Sequence, residues 1–318
     1  MRSERLLSTV RALLETMEAE RGPALETLSP VDARQAAIDG LQVSGGTAEP
    51  VASIENLRIP GPDGEIPIRV YTPNTAAPRP AMLYFHGGGW VVCDLDTHNV
   101  VCTAIANRAG AVVVAVDYRL SPEHKFPAAV TDCYAATVWV AENAERLGID
   151  PKRISVGGDS AGGNLGAVIS LRSRDERGPA IALQVMVYPV TDLSTFETPS
   201  YREFAEDHHL TKAEMEWFRG HYLACPEDGL NPHASPLLAQ DLHGLPPALV
   251  ITAECDPLRE EGEAYAKRLE QAGVPVTCTR YEGMIHPFFS LSGAIPRALD
   301  AIQQVADAVR TAGRHPLL

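Results

Sequence analysis

Residues 153–164 read RISVGGDSAGGN, and they decide the fold. RISVGG has the short apolar character of a buried strand, and it ends on two glycines. Ser160 follows Asp159, and Ala161, Gly162 and Gly163 lead into a helical stretch. A serine at a sharp strand-to-helix turn needs tiny residues two places before and two after it, and Gly158 and Gly162 stand there. The bare pattern G-x-S-x-G arises by chance in about one such chain in ten, so its setting between strand and helix carries the weight. Working outward, further strand-like runs are AMLYF (81–85), AVVVAV (111–116), LQVMVY (183–188), ALVITA (248–253) and, last, VPVTCTRY (274–281). Between them lie helix-like stretches such as FPAAVTDCYAATVWVAENAERLG and REEGEAYAKRLEQAG, closed by Gly148 and Gly273. Strand and helix in alternation predict an α/β fold, a mostly parallel central sheet flanked by helices.

Two segments depart from that rhythm. At the N-terminus Leu6, Val10, Leu13 and Met17 recur at helical spacing with Leu7 and Leu14 beside them, an amphipathic helix that needs a partner. Gly45, Gly46, Glu49 and Pro50 mark the joint between this leader and the body, placing the boundary near residue 50. Residues from about 191 to 232 hold no strand candidate but carry Phe196, Tyr201, Phe204, Trp217, Phe218 and Tyr222. An insertion at the carboxyl edge of a parallel sheet lies where α/β folds bind ligands. The leader (1–50) and this insertion are therefore expected to pack together as a helical cap over Ser160, with 51–318 as the catalytic domain. Most of the six aromatics are expected only to fasten the insertion to the body.

Composition narrows the function. The chain of 318 residues has 41 acidic and 27 basic residues, a net charge of −14, which repels nucleic acid and anionic membranes. No apolar run is long enough to span a membrane, and no secretion signal is visible. The cysteines, Cys93, Cys102, Cys133, Cys225, Cys255 and Cys278, form no metal-spaced cluster. They read as reduced thiols of a cytoplasmic protein, several of them, Cys278 among these, as small buried apolar residues. No metal or organic cofactor is expected.

The remaining chemistry is that of acyl transfer. FHGGGW (85–90) follows a strand, and His-Gly-Gly-Gly by chance is about a one in two hundred event here, too rare to set aside beside the first motif. Three glycines bring backbone N–H groups close to a developing oxyanion, so Gly87 and Gly88 are the expected donors, joined by Ala161 after the nucleophile. A serine needs a base and the base an orienting carboxylate, in the chain order serine, acid, histidine. Only His286 and His315 lie beyond the strand-ending acids, and His315 sits near the chain end. His286, in the loop after the last strand, is the expected base. Asp256 directly follows ALVITA and is the expected acid, ahead of Glu254 and Asp192. His86 is read as shaping the oxyanion loop, the other histidines as surface residues, and Asp159, Asp117 and Asn164 as loop-holding hydrogen bonders.

Together HGGG, DYRLSPEHKFPAA, GDSAGGN, NPHASPLL, AECDPLREEGEAYAKRL and YEGMIH resemble the bacterial hormone-sensitive lipase family of esterases, over residues 55–290 or so. That resemblance implies an α/β-hydrolase core, a cap built from N-terminal helices and the mid-chain insertion, and cofactor-free hydrolysis of small carboxylic esters. By motif position it gives Ser160, Asp256 and His286 as the triad and Gly87, Gly88 and Ala161 as the oxyanion hole. Relatives often pair through the last strand, so VPVTCTRY is a candidate homodimer edge. Pro287 and Cys255 depart from the family, which commonly has glycine and an aromatic residue there; both bear on the shape of the pocket. Two other readings share these motifs: an amidase or peptidase on the same triad, and a non-catalytic small-molecule receptor similar to a plant hormone receptor that has lost its histidine. His286 argues against the receptor.

Overall fold

The computed structural model describes residues 4–20 and 22–314, so His315 lies outside the described residues. The leader forms helices α1 (Ser8–Ala19) and α2 (Pro30–Ser44). The body is one eight-stranded sheet: β1 (Ser53–Gly61), β2 (Gly64–Thr72), β3 (Arg79–Phe85), β4 (Val112–Val116), β5 (Ile149–Asp159), β6 (Leu183–Val187), β7 (Ala248–Cys255) and β8 (Val276–Ile285). The spatial order is β1-β2-β4-β3-β5-β6-β7-β8, parallel from β4 through β8. Every expected strand is present, and the fold is the expected α/β one.

β1 and β2 are an addition to the expected strands, an antiparallel hairpin that also pairs β2 antiparallel to β4. Its signals are a Pro62–Asp63 turn between the paired Gly61 and Gly64, and Ile66, Ile68 and Val70 alternating inward. Only one face of β1–β2 is buried, so these strands lack the continuous apolar runs that mark β3–β7.

Helices cover both faces. α4 (Ala128–Glu142), α5 (Ala161–Asp175) and α8 (Arg259–Gln271) pack on one, α3 (Asn99–Ala109) and α9 (Ala298–Thr311) on the other. Burial on two sides explains why β4 is apolar throughout and β6 in all but Gln184, whose amide donates to the Pro246 carbonyl at 2.9 Å. Between β6 and β7 the chain forms α6 (Pro199–Glu203), α7 (Lys212–Tyr222) and short 3₁₀ turns but no strand.

The first amphipathic helix is rotated slightly from its expected stripe. Leu6, Val10 and Leu14 are the buried positions, Leu13 and Met17 are half-buried, and Leu7 is exposed. Leu6 and Leu7 precede the helix itself; the Leu7 N–H donates to the Gly283 carbonyl at 3.3 Å, tying the leader to the carboxyl end of β8. Arg5 pairs with Glu203 of α6 at 2.5 Å and lies over the Phe204 ring.

Candidate active site

The sheet brings its functional residues to one edge because every parallel strand ends there. Ser160 directly follows β5, Asp256 follows β7 and His286 follows β8. Ser160 adopts φ 56° and ψ −118°, a strained conformation held because its N–H donates to the Val187 carbonyl at 2.8 Å. A Cβ at either Gly158 or Gly162 would fall 1.8 Å from the Phe85 carbonyl oxygen, so both glycines are required by contact.

The three side chains form one hydrogen-bonded line. A carboxylate only accepts, so His286 donates from Nδ1 to Asp256 Oδ2 at 2.8 Å; its Nε2 is then free to accept from Ser160 Oγ at 3.0 Å. Asp256 is fully buried and its other oxygen accepts the Leu258 N–H at 2.9 Å. The rival acids are committed elsewhere. Glu254 accepts the Gly283 N–H at 2.8 Å, and Asp192 accepts from Ser194 backbone and hydroxyl.

The glycine loop after β3 requires a correction. Gly87 donates its N–H to Asp159 Oδ1 at 3.1 Å, so it is not available to an oxyanion, and it does not line the cavity above Ser160. Gly88 and Gly89 do line that cavity, and among the described residues their N–H groups and that of Ala161 carry no hydrogen bond. The shift by one residue has a cause in Asp159, which stands beside the serine and claims the first glycine. Gly88 adopts φ 100°, and a Cβ there would fall 2.3 Å from the Val92 carbonyl oxygen.

Asp159 is the hub beneath this loop. It also accepts the Tyr84 hydroxyl at 2.6 Å and pairs with His98 Nε2 at 3.2 Å. Burial alone would raise its pKa, but His98 and the Tyr84 hydrogen bond outweigh it and hold the carboxyl below the usual range. His86 stays inside the loop as expected: its Nδ1 lies 2.7 Å from the Gly87 carbonyl, and its own carbonyl accepts the Tyr118 hydroxyl at 2.8 Å. Burial, then His98, lowers the His86 pKa to about 4, which keeps the ring neutral. Asn164 holds loops by hydrogen bonds as expected, donating to the carbonyls of Val190 and Ala234 that flank the two ends of the insertion. Among the described residues the side chain of Asp117 makes no such bond, though its N–H donates to the Pro67 carbonyl.

Two further readings are corrected. His98 and His208 are buried, not surface residues, and no spacing in the sequence marked His98 as the partner of Asp159. Cys278 is exposed because β8 is the edge strand, as is Cys225 in its turn; the other four cysteines are buried and none is bonded to another.

The cavity over Ser160 encloses about 280 Å³. Its walls come from both unusual segments: Met17, Leu25 and Leu41 from the leader, and Leu210, Met215 and Phe218 from the insertion. Phe218 is the one of the six insertion aromatics that reaches the cavity; Tyr222 instead stacks on Trp90 with ring centroids 4.0 Å apart. Tyr188, after β6, packs its ring 4.4 Å from that of His286. Among the described residues no His, Cys, Asp and Glu side chains gather as a metal site, and no helix is long and apolar enough to cross a membrane.

Comparison with known proteins agrees with this architecture. A family model described as "alpha/beta hydrolase fold" matches residues 82–290. The carboxylic ester hydrolase LipN of Mycobacterium tuberculosis is 46% identical over 244 residues, 75% of this chain and 65% of that protein. An ethyl acetate hydrolase of Pseudomonas putida is 38% identical over 308 residues, covering 94% of this chain and 96% of the other. The crystal structure of a thermostable esterase from Pseudomonas putida ECU1011 superposes with a TM-score of 0.95 at 40% identity, over 99% of this chain and 100% of that one. With its motifs in order, its sheet complete and its serine, histidine and aspartate in line, the chain belongs to the α/β-hydrolase-fold family, in the hormone-sensitive-lipase-like branch of carboxylic ester hydrolases.

Proposed function

We propose that this carboxylesterase hydrolyses short to medium acyl esters with Ser160 as nucleophile, His286 as general base and acid, and Asp256 as the orienting carboxylate. The observation that carries the assignment is the Asp256–His286–Ser160 line of hydrogen bonds, 2.8 and 3.0 Å, facing a cavity. Ser160 Oγ attacks the ester carbonyl while its proton passes to His286 Nε2, forming a tetrahedral adduct. Charge on the carbonyl oxygen is met by the N–H groups of Gly88, Gly89 and Ala161, a set revised from the expected Gly87, Gly88 and Ala161. Each such donor contributes about 3 to 4 kcal/mol to a transition state of this kind. His286 then protonates the leaving alcohol, and the acyl group remains on Ser160. Water, deprotonated by His286, attacks the acyl carbon; collapse of the second adduct releases the acid and returns the proton to Ser160.

The leader (1–50) and the insertion (about 191–232) together form the cap, and 51–318 is the catalytic domain. Supporting this division, both segments wall the same cavity and Arg5 joins them through Glu203. A cavity near the lower end of the usual range for small ligands suits short acyl chains over those of sixteen carbons. The acidic net charge supports a small-molecule substrate and no nucleic acid, and reduced cysteines support a cytoplasmic location. The outer side of β8 from Val276 to Tyr281 is the sheet's open edge, the surface through which we infer a homodimer.

Ser160→Ala tests the assignment. Turnover of p-nitrophenyl butyrate should fall by a factor on the order of 10⁶, and phosphonate labelling should disappear. Retention of a tenth of wild-type turnover, or a label on another serine, refutes it. Matched ester and anilide substrates should show hydrolysis of the ester in large excess.

A further inference from the structure

The cavity over Ser160 is apolar in most of its wall, so the few polar groups that remain decide which substituents a substrate can carry. Most of them are already committed. His98 and Asp159 bind each other beneath the glycine loop, and the Ser44 hydroxyl donates to the Gly40 carbonyl. Glu214 caps α7 by accepting the Thr211 N–H, and a carboxylate can only accept. Ser290 also lines the cavity, but its Oγ is buried and lies against the Tyr188 hydroxyl.

His209 is different. It lies in the insertion where the main cavity meets a second one under the leader, and it lines both. Its backbone sits at φ 79°, in the left-handed region that residues other than glycine rarely adopt. Among the described residues no hydrogen bond holds the ring, so the imidazole, at the junction of the two cavities, keeps its hydrogen-bonding capacity for a ligand. His209 is exposed to solvent where the two cavities meet, with residues of the leader and the insertion lining both around it. Desolvation by the nearby protein, and then His286, lowers its pKa. A neutral imidazole carries one N–H donor in either tautomer.

We propose that His209 selects the substrate: its N–H donates to an oxygen that the ester carries away from the scissile carbonyl, so that keto-, hydroxy- or alkoxy-substituted esters are preferred over their hydrocarbon equivalents. The selection rests on the esterase reading above and names the substrate class of the same site. A hydrocarbon chain passing the ring would leave the N–H without a partner, whereas an ether or keto oxygen satisfies it without adding a charge. His209 acts on recognition and takes no part in proton transfer, which belongs to His286.

The test compares kcat/KM for matched pairs in wild type, His209→Leu and His209→Gln. On the acyl side the pairs are p-nitrophenyl pentanoate with 4-oxopentanoate, and hexanoate with 5-oxohexanoate. On the alcohol side they are butyl butyrate with 2-methoxyethyl butyrate, followed by acid release. The wild type should prefer the oxygenated member of at least one pair. His209→Leu should reduce that preference by about 3- to 10-fold, the equivalent of one hydrogen bond, while hydrolysing the hydrocarbon member as well as wild type or better. His209→Gln, which keeps a donor, should retain part of the preference. An unchanged ratio in every pair, or equal loss of both members in His209→Leu, overturns the proposal. Failure of the esterase reading looks different: wild type itself would turn over no ester through Ser160.

Discussion

Replacing Asp159 by asparagine separates the charge under the oxyanion loop from its shape. The wild-type carboxylate is buried and accepts three donors: the Tyr84 hydroxyl at 2.6 Å, the Gly87 N–H at 3.1 Å and His98 Nε2 at 3.2 Å. Asparagine can keep its oxygen toward Tyr84 and Gly87 and turn its NH₂ toward His98. His98 can accept at Nε2 because its Nδ1 lies 3.0 Å from Thr97 Oγ1. Three charge-assisted bonds, about 1.5 to 3 kcal/mol each, thereby become neutral bonds of about 0.5 to 1.5 kcal/mol, a loss of about 3 kcal/mol in all. Melting should fall by about 3 to 6 °C. The loosened Gly87 anchor should also let Gly88 and Gly89 drift. Full loss of one oxyanion donor costs about 10² to 10³ in rate, and partial misplacement should cost about 10- to 100-fold in kcat, with KM within about twofold. Stopped-flow measurement of acylation with p-nitrophenyl butyrate reads the chemical step directly. The pH dependence supplies a second check. Because the folded pKa of Asp159 is depressed, its stabilisation is present above the unfolded pKa near 4 and is lost as pH falls through the folded value, a loss absent from the variant. If the variant melts lower but acylates within twofold of wild type, the carboxylate does not set the loop and the reasoning fails.

Two other outcomes follow from the same structure. Glu261 is buried and accepts the N–H groups of Thr191 and Asp192; burial, with the charges of Asp192 and Asp256 adding, raises its pKa well above the usual carboxylate range. For an acid held neutral in the fold, stability is full below the unfolded pKa and declines as pH rises toward the folded one, by at most about 1.4 kcal/mol per pH unit. Glu261→Gln keeps an oxygen for both N–H groups, so melting curves from pH 5 to 9 should show a flatter decline than wild type; parallel curves would contradict this. Deleting residues 1–35 removes the partner of the insertion and part of the cavity wall. It should lower solubility and erode selectivity between acyl chains of four and sixteen carbons, while Ser160 still reacts with a small phosphonate; an unchanged chain-length profile would remove the leader from the cap.

Much of this protein was legible before any coordinates. RISVGGDSAGGN, FHGGGW and the order serine, acid, histidine place strand ends and reactive groups through local rules, since a nucleophile elbow must have Gly158 and Gly162 and a strand buried on both faces is predominantly apolar. Sequence alone therefore determined the α/β fold, the five central strands with the last one, the candidate triad and the acidic character. What it could not resolve was set by contacts between segments far apart in the chain. Gly87 and Gly89 look equivalent in HGGG, and only the approach of Asp159 on the neighbouring strand takes the Gly87 N–H out of use. His98 carries no local signal because its partner lies 61 residues away. Cys278 sits in an apolar run yet is exposed, since being an edge strand is a property of the sheet's order and not of the strand. The rotation of α1 onto Leu6, Val10 and Leu14, and the left-handed turn that brings His209 to the cavity wall, were likewise decided by packing, where the free energy depends on what each surface meets.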